Sequence, residues 1–185
     1  AISHPRVAAS REHNLPPPDF DETGYVGRKA DVDRPHALCA GPYPVITILG
    51  DGGIGKTATA LKVAYDMLDQ TDQAFDAVVW SSSKTTKLSD GEIVEIEGAI
   101  TDSLGLLSNV GSQLGGRAPG DPETEVLEYL SEFRILLVLD NLETVLDERI
   151  RRFLSGLRGE SKVLITSRIG LGAFENPVKL ERLSD

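Results

Sequence analysis

The sequence is poor in cysteine and in positive charge. Its one cysteine, Cys39, cannot form an internal disulfide, and no Cys/His cluster has zinc-site spacing, so we expect an intracellular, reducing compartment. Lys and Arg number 19 against 29 Asp and Glu, which gives a formal net charge of −10. Because nucleic-acid-binding surfaces neutralise phosphates with a basic stripe, this acidity argues against a nucleic-acid partner for this domain.

Long apolar runs are absent as well. The longest, at residues 45–49 and 135–139, are far too short to cross a bilayer, and residues 1–10 lack the apolar core of a signal peptide. We therefore expect a cytoplasmic protein without a membrane partner. The chain has no initiator Met and stops at Asp185 without a terminating feature, so we expect a fragment of a longer multidomain protein.

The patterns that are present predict one α/β domain. Residues 16–18 are three prolines, so we expect an irregular lead-in over residues 1–24 and a folded domain over residues 25–185. Short apolar runs typical of buried strands recur at residues 45–49, 77–80, 135–139, 162–166 and 178–180. Helical patterns separate these runs. Such alternation predicts a three-layer fold with a five-stranded parallel sheet covered by helices on both faces. The glycine-rich motif described below makes this a P-loop NTPase fold.

The helices are predicted from apolar spacing and from end signals. Residues 56–69 and 148–157 have the spacing of one buried helix face. A capping box at residues 89–92 predicts a helix that follows over residues 93–104. Asp followed by Pro at residues 121–122 predicts the start of another helix.

Two segments are predicted to interrupt helical structure. Residues 108–120 are rich in Gly and Ser, which indicates a surface loop. Pro35 lies inside the short amphipathic segment of residues 25–38, where a proline should break or kink a helix.

The most specific motif is a glycine-rich loop between the first long strand and the next helix. Residues 50–57 read Gly-Asp-Gly-Gly-Ile-Gly-Lys-Thr and match the P-loop pattern G-x-x-x-x-G-K-[ST]. Glycines let several backbone N–H groups point at an anion, and the positive end of the helix adds to the attraction. Lys56 should reach the β- and γ-phosphates, and the Thr57 hydroxyl should ligate Mg²⁺. The predicted nucleotide contacts are Gly50, Gly52, Gly53, Ile54, Gly55, Lys56, Thr57 and Ala58.

An acidic residue ends the third predicted strand. Asp140 follows five apolar residues, the Walker B pattern, and the carboxyl end of a parallel strand faces the same crevice as the P-loop. We expect Asp140 to hold the magnesium shell together with Thr57. Hydrolysis also needs a group that orients the attacking water. Glu143 is the predicted base and Asn141 a water-positioning or spectator residue, although a solvated Glu143 that opens the next helix fits the sequence equally well.

With these motifs in order, the chain resembles the NB-ARC branch of the STAND P-loop ATPases over residues 25–183. Residues 25–28, Tyr-Val-Gly-Arg, look like the hhGR motif of that family. Residues 75–80 are similar to its second-strand block, and residues 136–141 resemble its Walker B block. Residues 162–168 look like the strand that ends in the sensor arginine.

The resemblance implies roles that the motifs alone do not. By position, Val26, Gly27 and Arg28 would lie against the adenine, and the cofactors would be ATP or ADP with Mg²⁺. Arg168 would sense the terminal phosphate, a task that suits the fork of a guanidinium. Asn141 stands where many relatives have a second acid, so we expect slow hydrolysis that is weak or absent in the isolated domain.

Two functions remain open. In the first, the domain is a signal-transduction switch: ADP keeps the full-length protein closed, ATP permits opening and homo-oligomerisation, and slow hydrolysis resets it. The alternative is an AAA+-like remodelling ATPase that acts on nucleic acid or protein, and the residues that follow Asp185 would distinguish the two. A GTPase is disfavoured because no Asn-Lys-x-Asp block occurs.

Overall fold

A computed structural model of the chain describes residues 12–18, 29–70, 75–89, 92–115, 120–172 and 174–182. Its helices are α1 (Lys29–Ala40), α2 (Lys56–Asp69), α3 (Ser103–Gln113), α4 (Pro122–Glu132) and α5 (Glu148–Ser155). Its strands are β1 (Glu12–His13), β2 (Val45–Leu49), β3 (Ala77–Ser82), β4 (Thr86–Ser89), β5 (Glu92–Glu95), β6 (Ile135–Asp140), β7 (Lys162–Ser167) and β8 (Asn176–Lys179). A short 3-10 turn, Leu142–Thr144, follows β6.

Six strands form one parallel sheet in the order β1-β3-β6-β7-β2-β8. The five expected strands and their parallel arrangement are confirmed. The sixth, β1, lies in the stretch expected to be irregular, where only two residues pair with β3. So short a strand has no periodic signal in the sequence. The order places β2 beside β7, and it places β6 between β3 and β7.

Helices cover both faces of this sheet, as expected for a three-layer fold. On one face α1 and α2 pack on strand residues that include Ile46, Leu136 and Leu164. On the other face α3, α4 and α5 pack on residues that include Leu137 and Val163. Because neighbouring residues of a strand point to opposite faces, each continuous apolar run contributes to both clusters.

The segment after β3 forms a hairpin where a helix was expected. Strands β4 and β5 pair antiparallel, with Ser89 opposite Glu92. Asp90 and Gly91 separate these two residues in the sequence and lie outside the described ranges. An Asp-Gly dipeptide between two extended runs is a strong hairpin signal. Residues 89–92 also fit a capping box, and that pattern led to the prediction of a helix instead.

The helix expected over residues 93–104 is wrong up to residue 102, because residues 93–95 belong to β5 and α3 begins only at Ser103. Asp102 caps α3 by accepting a hydrogen bond from the backbone N–H of Gly105 at 2.6 Å. The helix includes residues 108–113, so the first half of the expected Gly- and Ser-rich loop is wrong, whereas residues 114–115 form a turn and residues 116–119 lie outside the described ranges. The buried residues of α3 are Ser103, Leu106, Leu107, Val110 and Gly111. Packing of this face against the sheet outweighs the weak helix propensity of Gly and Ser.

Helix α1 continues through Pro35, where a break was expected. Pro35, Val32 and Cys39 are its buried residues. A proline removes one backbone hydrogen bond from a helix interior. The burial of this face compensates for that loss.

Candidate functional site

The glycine-rich loop joins the carboxyl end of β2 directly to the first residue of α2. Gly53 and Gly55 have φ angles of 75° and 97°, a region that side chains other than glycine rarely adopt. At Gly52, an added Cβ would lie 2.9 Å from Nη2 of Arg168. The loop is therefore a tight backbone cradle in front of a helix N-terminus, and Arg168 lies close beside it.

Lys56 points back over this loop. Its Nζ donates hydrogen bonds to the carbonyl oxygens of Gly50 and Asp51, both at 2.7 Å. Burial lowers the pKa of the Lys56 ammonium below its ordinary value, while Glu143 opposes that shift and Arg168 adds to it. The ammonium thus lies inside the loop, among charges of both signs.

Asp140 is the centre of a buried polar cluster at the carboxyl ends of β3, β6 and β7. Its side chain is only 1% exposed. Three hydroxyls donate to its carboxylate: Thr57 at 2.8 Å, Ser82 at 2.9 Å and Thr166 at 2.7 Å. We call Thr57, Ser82, Asp140 and Thr166 the carboxyl edge. The P-loop and the Walker B carboxylate are thus in direct contact through Thr57.

A second lysine approaches the same cluster. Nζ of Lys84 donates to Thr57 Oγ1 at 2.7 Å and lies 3.5 Å from Asp140 Oδ2. Its side chain is 41% exposed, whereas that of Asp140 is buried. Lys84 therefore brings a positive charge from the solvent side to the two groups that the sequence assigns to magnesium.

Arg168 and Glu143 form an ion pair beside the P-loop. Nε of Arg168 lies 3.5 Å from Oε1 of Glu143, and the two side chains are 63% and 16% exposed. The second carboxylate oxygen of Glu143 is buried and has no hydrogen-bond partner among the described residues. Glu143 lies in the 3-10 turn after β6, so it is neither fully solvated nor at the start of α5.

Asn141 turns the chain directly after Asp140. Its φ of 63° is left-handed, a conformation that Asn tolerates better than most residues. Its backbone N–H donates to Thr166 Oγ1 at 2.9 Å, and its side-chain amide donates to Thr144 Oγ1 at 2.6 Å. The amide is therefore held by the turn that carries Glu143.

These groups surround two cavities that share Lys84, Asn141 and Arg168. One, of about 310 Å³, is lined by Gly52, Gly53, Gly55, Lys56, Thr57, Ala58, Lys84, Asn141, Thr166 and Arg168. The other, of about 370 Å³, is lined by Lys84, Thr85, Asn141, Glu143, Thr144 and Arg168. Each has the volume of a small-molecule site, about 300–1,000 Å³.

The donor set suits a polyphosphate with a hard cation. Backbone N–H groups, Lys56 and Arg168 can hold anionic oxygens. The hydroxyl of Thr57 and the carboxylate of Asp140 supply the oxygen ligands that Mg²⁺ prefers. The expected P-loop residues and Asp140, Asn141, Glu143 and Arg168 are thus brought to one end of the sheet. The other expected contacts, Val26, Gly27 and Arg28, lie outside the described residues.

Sequence reasoning missed three residues of the site. Ser82, Lys84 and Thr166 each contact Asp140 or Thr57. The register places Ser82 directly opposite Asp140 on neighbouring parallel strands. A signal was available, because the same rule that placed Asp140 in the crevice applies to the polar residues that end the adjacent strands.

None of the helices in the described ranges is long and apolar enough to cross a bilayer. Those ranges also contain no cluster of three or more His, Cys, Asp or Glu side chains that could form a metal site by itself.

Comparison with known proteins identifies the family of this chain. The sequence model of the NB-ARC domain family matches residues 36–170 of the chain. The transcription activator GutR of Bacillus subtilis (strain 168) is 29% identical over 167 residues, which cover 84% of this chain and 18% of GutR. The uncharacterized WD repeat-containing protein alr2800 of Nostoc sp. is 28% identical over 131 residues, which cover 65% of this chain and 10% of that protein. The chain thus spans less than a fifth of the length of these curated relatives.

Among solved structures, PCH-2 of C. elegans matches with a TM-score of 0.45 and 14% sequence identity, over 84% of this chain and 42% of that one. The NB-ARC match extends over most of the chain and includes the P-loop, Asp140 and Arg168. The chain belongs to the NB-ARC domain family, and it is a P-loop nucleotide-binding domain.

Proposed function

We propose that the domain binds ATP and ADP with Mg²⁺ at residues 50–57 and acts as the nucleotide-controlled switch of a longer STAND-type signalling protein. One observation carries the proposal: Thr57 Oγ1 donates to Asp140 Oδ1 at 2.8 Å. This contact joins a P-loop hydroxyl to a Walker B carboxylate, the pair that holds the magnesium of a bound nucleotide in P-loop proteins. Magnesium would supply charge neutralisation between the phosphates. The preference for adenine rests on the family resemblance.

The position of Arg168 supports the switch. Its guanidinium lies between the glycine loop and Glu143, with Nη2 close to Gly52 and Nε 3.5 Å from the carboxylate. A terminal phosphate would compete with Glu143 for the guanidinium, so ATP and ADP would leave the ion pair in different arrangements. Switch proteins convert such a local change of charge into a change between two domain arrangements.

The relatives support a regulatory role within a larger protein. GutR is described as a transcription activator, and the matched region is 18% of its length. We propose that this domain likewise controls other parts of a longer chain, including its homo-oligomerisation in the ATP-bound form. The buried free thiol of Cys39 fits a reducing, cytoplasmic setting. The AAA+-like alternative uses the same P-loop and Walker B residues, and the family match favours the switch.

We further propose that hydrolysis is slow. Glu143 is the proposed base and Asn141 the proposed water-positioning residue. One oxygen of Glu143 is engaged by Arg168, and the amide of Asn141 is engaged by Thr144. The amide nitrogen of Asn141 would have to give up this contact before it could donate to a water molecule, and the other oxygen of Glu143 is buried, which suits a switch that resets infrequently.

The test is calorimetric titration of ADP with Mg²⁺ into the wild-type chain and into Lys56→Ala. Lys56 would contribute charge-assisted hydrogen bonds, each worth roughly 1.5–3 kcal/mol, so binding should weaken by about 10- to 150-fold or disappear. Lys62→Ala is the matched control, because Lys62 lies on the same helix but pairs with Asp66. Its affinity should equal that of wild type.

Unchanged ADP affinity in Lys56→Ala would contradict the assignment of the site. Far-ultraviolet circular dichroism of both variants checks that lost binding does not reflect unfolding. Competition with GTP in the same titration tests the base preference. Displacement of ADP by equimolar GTP would remove the adenine assignment but leave the phosphate site intact.

A further inference from the structure

Lys84 contacts the two oxygens that the proposed function assigns to magnesium. Its Nζ is 2.7 Å from Thr57 Oγ1 and 3.5 Å from Asp140 Oδ2. We propose that the Lys84 ammonium and Mg²⁺ compete for these oxygens, so that Lys84 sets how strongly nucleotide binding depends on magnesium. The inference rests on the proposed function, since it concerns the same site.

The charge of Asp140 explains why an ammonium lies there. A buried carboxylate is costly unless a cation or several hydrogen bonds compensate it. Among the described cations that line the cavity, Lys56 is hydrogen-bonded to loop carbonyls and Arg168 pairs with Glu143. Lys84 is the cation that reaches Asp140. Either this ammonium or a metal ion can balance the carboxylate at these oxygens, but the two cannot occupy the same space.

The side chain of Lys84 is able to move away. It is 41% exposed, and its ammonium is a compact charge on a flexible stem. Asp140, in contrast, is fixed by the hydroxyls of Ser82 and Thr166, and of Lys84 only the backbone N–H, which donates to Ser82 Oγ, contacts these hydroxyls. When the ammonium leaves, the carboxylate therefore keeps its position. Because Lys84 lines both cavities of the site, the displaced ammonium remains within reach of a bound polyphosphate.

Removal of the Lys84 ammonium has two consequences, and both change the ratio of dissociation constants without and with Mg²⁺ in the same direction. A metal ion would meet a carboxylate with no ammonium beside it, so nucleotide binding with Mg²⁺ would be favoured. A nucleotide without metal would lose one of the cations near its phosphates, so binding without Mg²⁺ would be weakened. Both effects increase the ratio of the dissociation constant in EDTA to the dissociation constant in Mg²⁺, which we call the magnesium dependence.

Other roles for Lys84 predict different results. A lysine that only attracts anions to the cavity would, when removed, weaken binding in both conditions, and more strongly in EDTA, because ADP without a metal ion carries more negative charge than its magnesium complex. A lysine needed to hold Asp140 in place would weaken the binding of the magnesium complex when removed, and the magnesium dependence would fall. A lower dissociation constant in Mg²⁺ after removal of the Lys84 charge therefore distinguishes competition from the other two roles, which both predict a higher one.

The experiment measures ADP affinity in Mg²⁺ and in EDTA for the wild-type chain and for Lys84→Met, which keeps an unbranched stem without the charge. We expect the dissociation constant in Mg²⁺ to fall and the magnesium dependence to rise at least about tenfold, because a full charge is removed within contact distance of the ligand oxygens. Lys84→Gln should raise it similarly, since it also removes the charge while keeping a hydrogen-bonding group. Lys62→Met removes one charge elsewhere on the surface and should leave the ratio at the wild-type value.

The outcomes separate this inference from the proposed function. An unchanged or higher dissociation constant in Mg²⁺ for folded Lys84→Met and Lys84→Gln would overturn the competition, while ADP binding by the wild type would leave the proposed function standing. Wild-type chain that binds ADP in neither condition would overturn both. Thermal melts of each variant confirm that the compared proteins are folded.

Discussion

The middle of the sheet and two residues of its carboxyl edge, Asp140 and Thr166, are equally buried but are held by different forces. Leu137 and Leu164 lie in the middle of β6 and β7, fully buried among apolar side chains. Asp140 and Thr166, further along the same strands, are 1% exposed and are held by hydrogen bonds. A buried carboxylate does not stabilise a fold as apolar packing does, because its desolvation costs several kcal/mol. The edge is therefore organised for binding, and substitutions in the two regions should have different consequences.

The largest effect on the free energy of unfolding is expected in the middle of the sheet. Leu137→Ala removes apolar contacts and leaves a cavity between β6 and the helices, which should cost about 2–5 kcal/mol. Urea unfolding monitored by circular dichroism measures this loss. Leu104→Ala in α3 is the matched control, because Leu104 is 46% exposed and should change stability by less than about 0.5 kcal/mol. Equal losses in the two variants would contradict the assignment of Leu137 to the core.

An intermediate loss of unfolding free energy is expected when Thr166 of the carboxyl edge is replaced by valine, which has nearly the same shape. Thr166 donates to Asp140 and accepts from the Asn141 N–H, so Thr166→Val leaves two polar groups without this partner. The expected loss of unfolding free energy is about 1–3 kcal/mol. Weaker binding of ADP with Mg²⁺ should accompany it, because Thr166 positions the Asp140 carboxylate.

The same substitution in the middle of the sheet provides the control. Thr47 lies in β2, fully buried, and its hydroxyl has no hydrogen-bond partner among the described residues. Thr47→Val therefore exchanges an unsatisfied hydroxyl for a methyl group and should be neutral or stabilising, with ADP affinity unchanged. If the two Thr→Val variants lost the same stability, the proposed difference between edge and middle would not hold.

What the sequence predicted correctly in these regions depended on local patterns. The P-loop and the strand that ends in Asp140 are each formed by consecutive residues. The strands, the parallel sheet and the proximity of the P-loop to Asp140 could therefore be predicted. The contacts of Lys84 and Thr166 with this acid depend on which strands are neighbours. The order β3-β6-β7-β2 brings them together, and the composition of a single strand does not specify that order.

The secondary-structure predictions were wrong where two local sequence patterns indicated different structures. Residues 89–92 fit both a capping box and a hairpin turn, and tertiary pairing of β4 with β5 selected the hairpin. Residues 108–113 are rich in Gly and Ser but carry buried positions of α3. For α3 the deciding energy comes from packing against residues distant in the sequence, which propensity alone does not include, whereas the hairpin pairs residues that are close in the sequence.

The smallest effect on stability is expected at Arg168, where the function of the edge can be separated from folding. Its side chain is 63% exposed, and its ion pair with Glu143 spans 3.5 Å, so Arg168→Ala should change the free energy of unfolding by less than about 1 kcal/mol. The ratio of ATP to ADP affinity should nevertheless change by roughly tenfold, the value of one charge-assisted hydrogen bond to a terminal phosphate. Calorimetry with each nucleotide in Mg²⁺ measures that ratio. Arg158→Ala, an exposed arginine beyond α5, makes the same change of charge away from the cavities and should leave the ratio unaltered. If the ratio is the same in wild type, Arg168→Ala and Arg158→Ala, the Arg168 guanidinium does not distinguish ATP from ADP. The site would then bind phosphate without responding to the terminal phosphate of ATP.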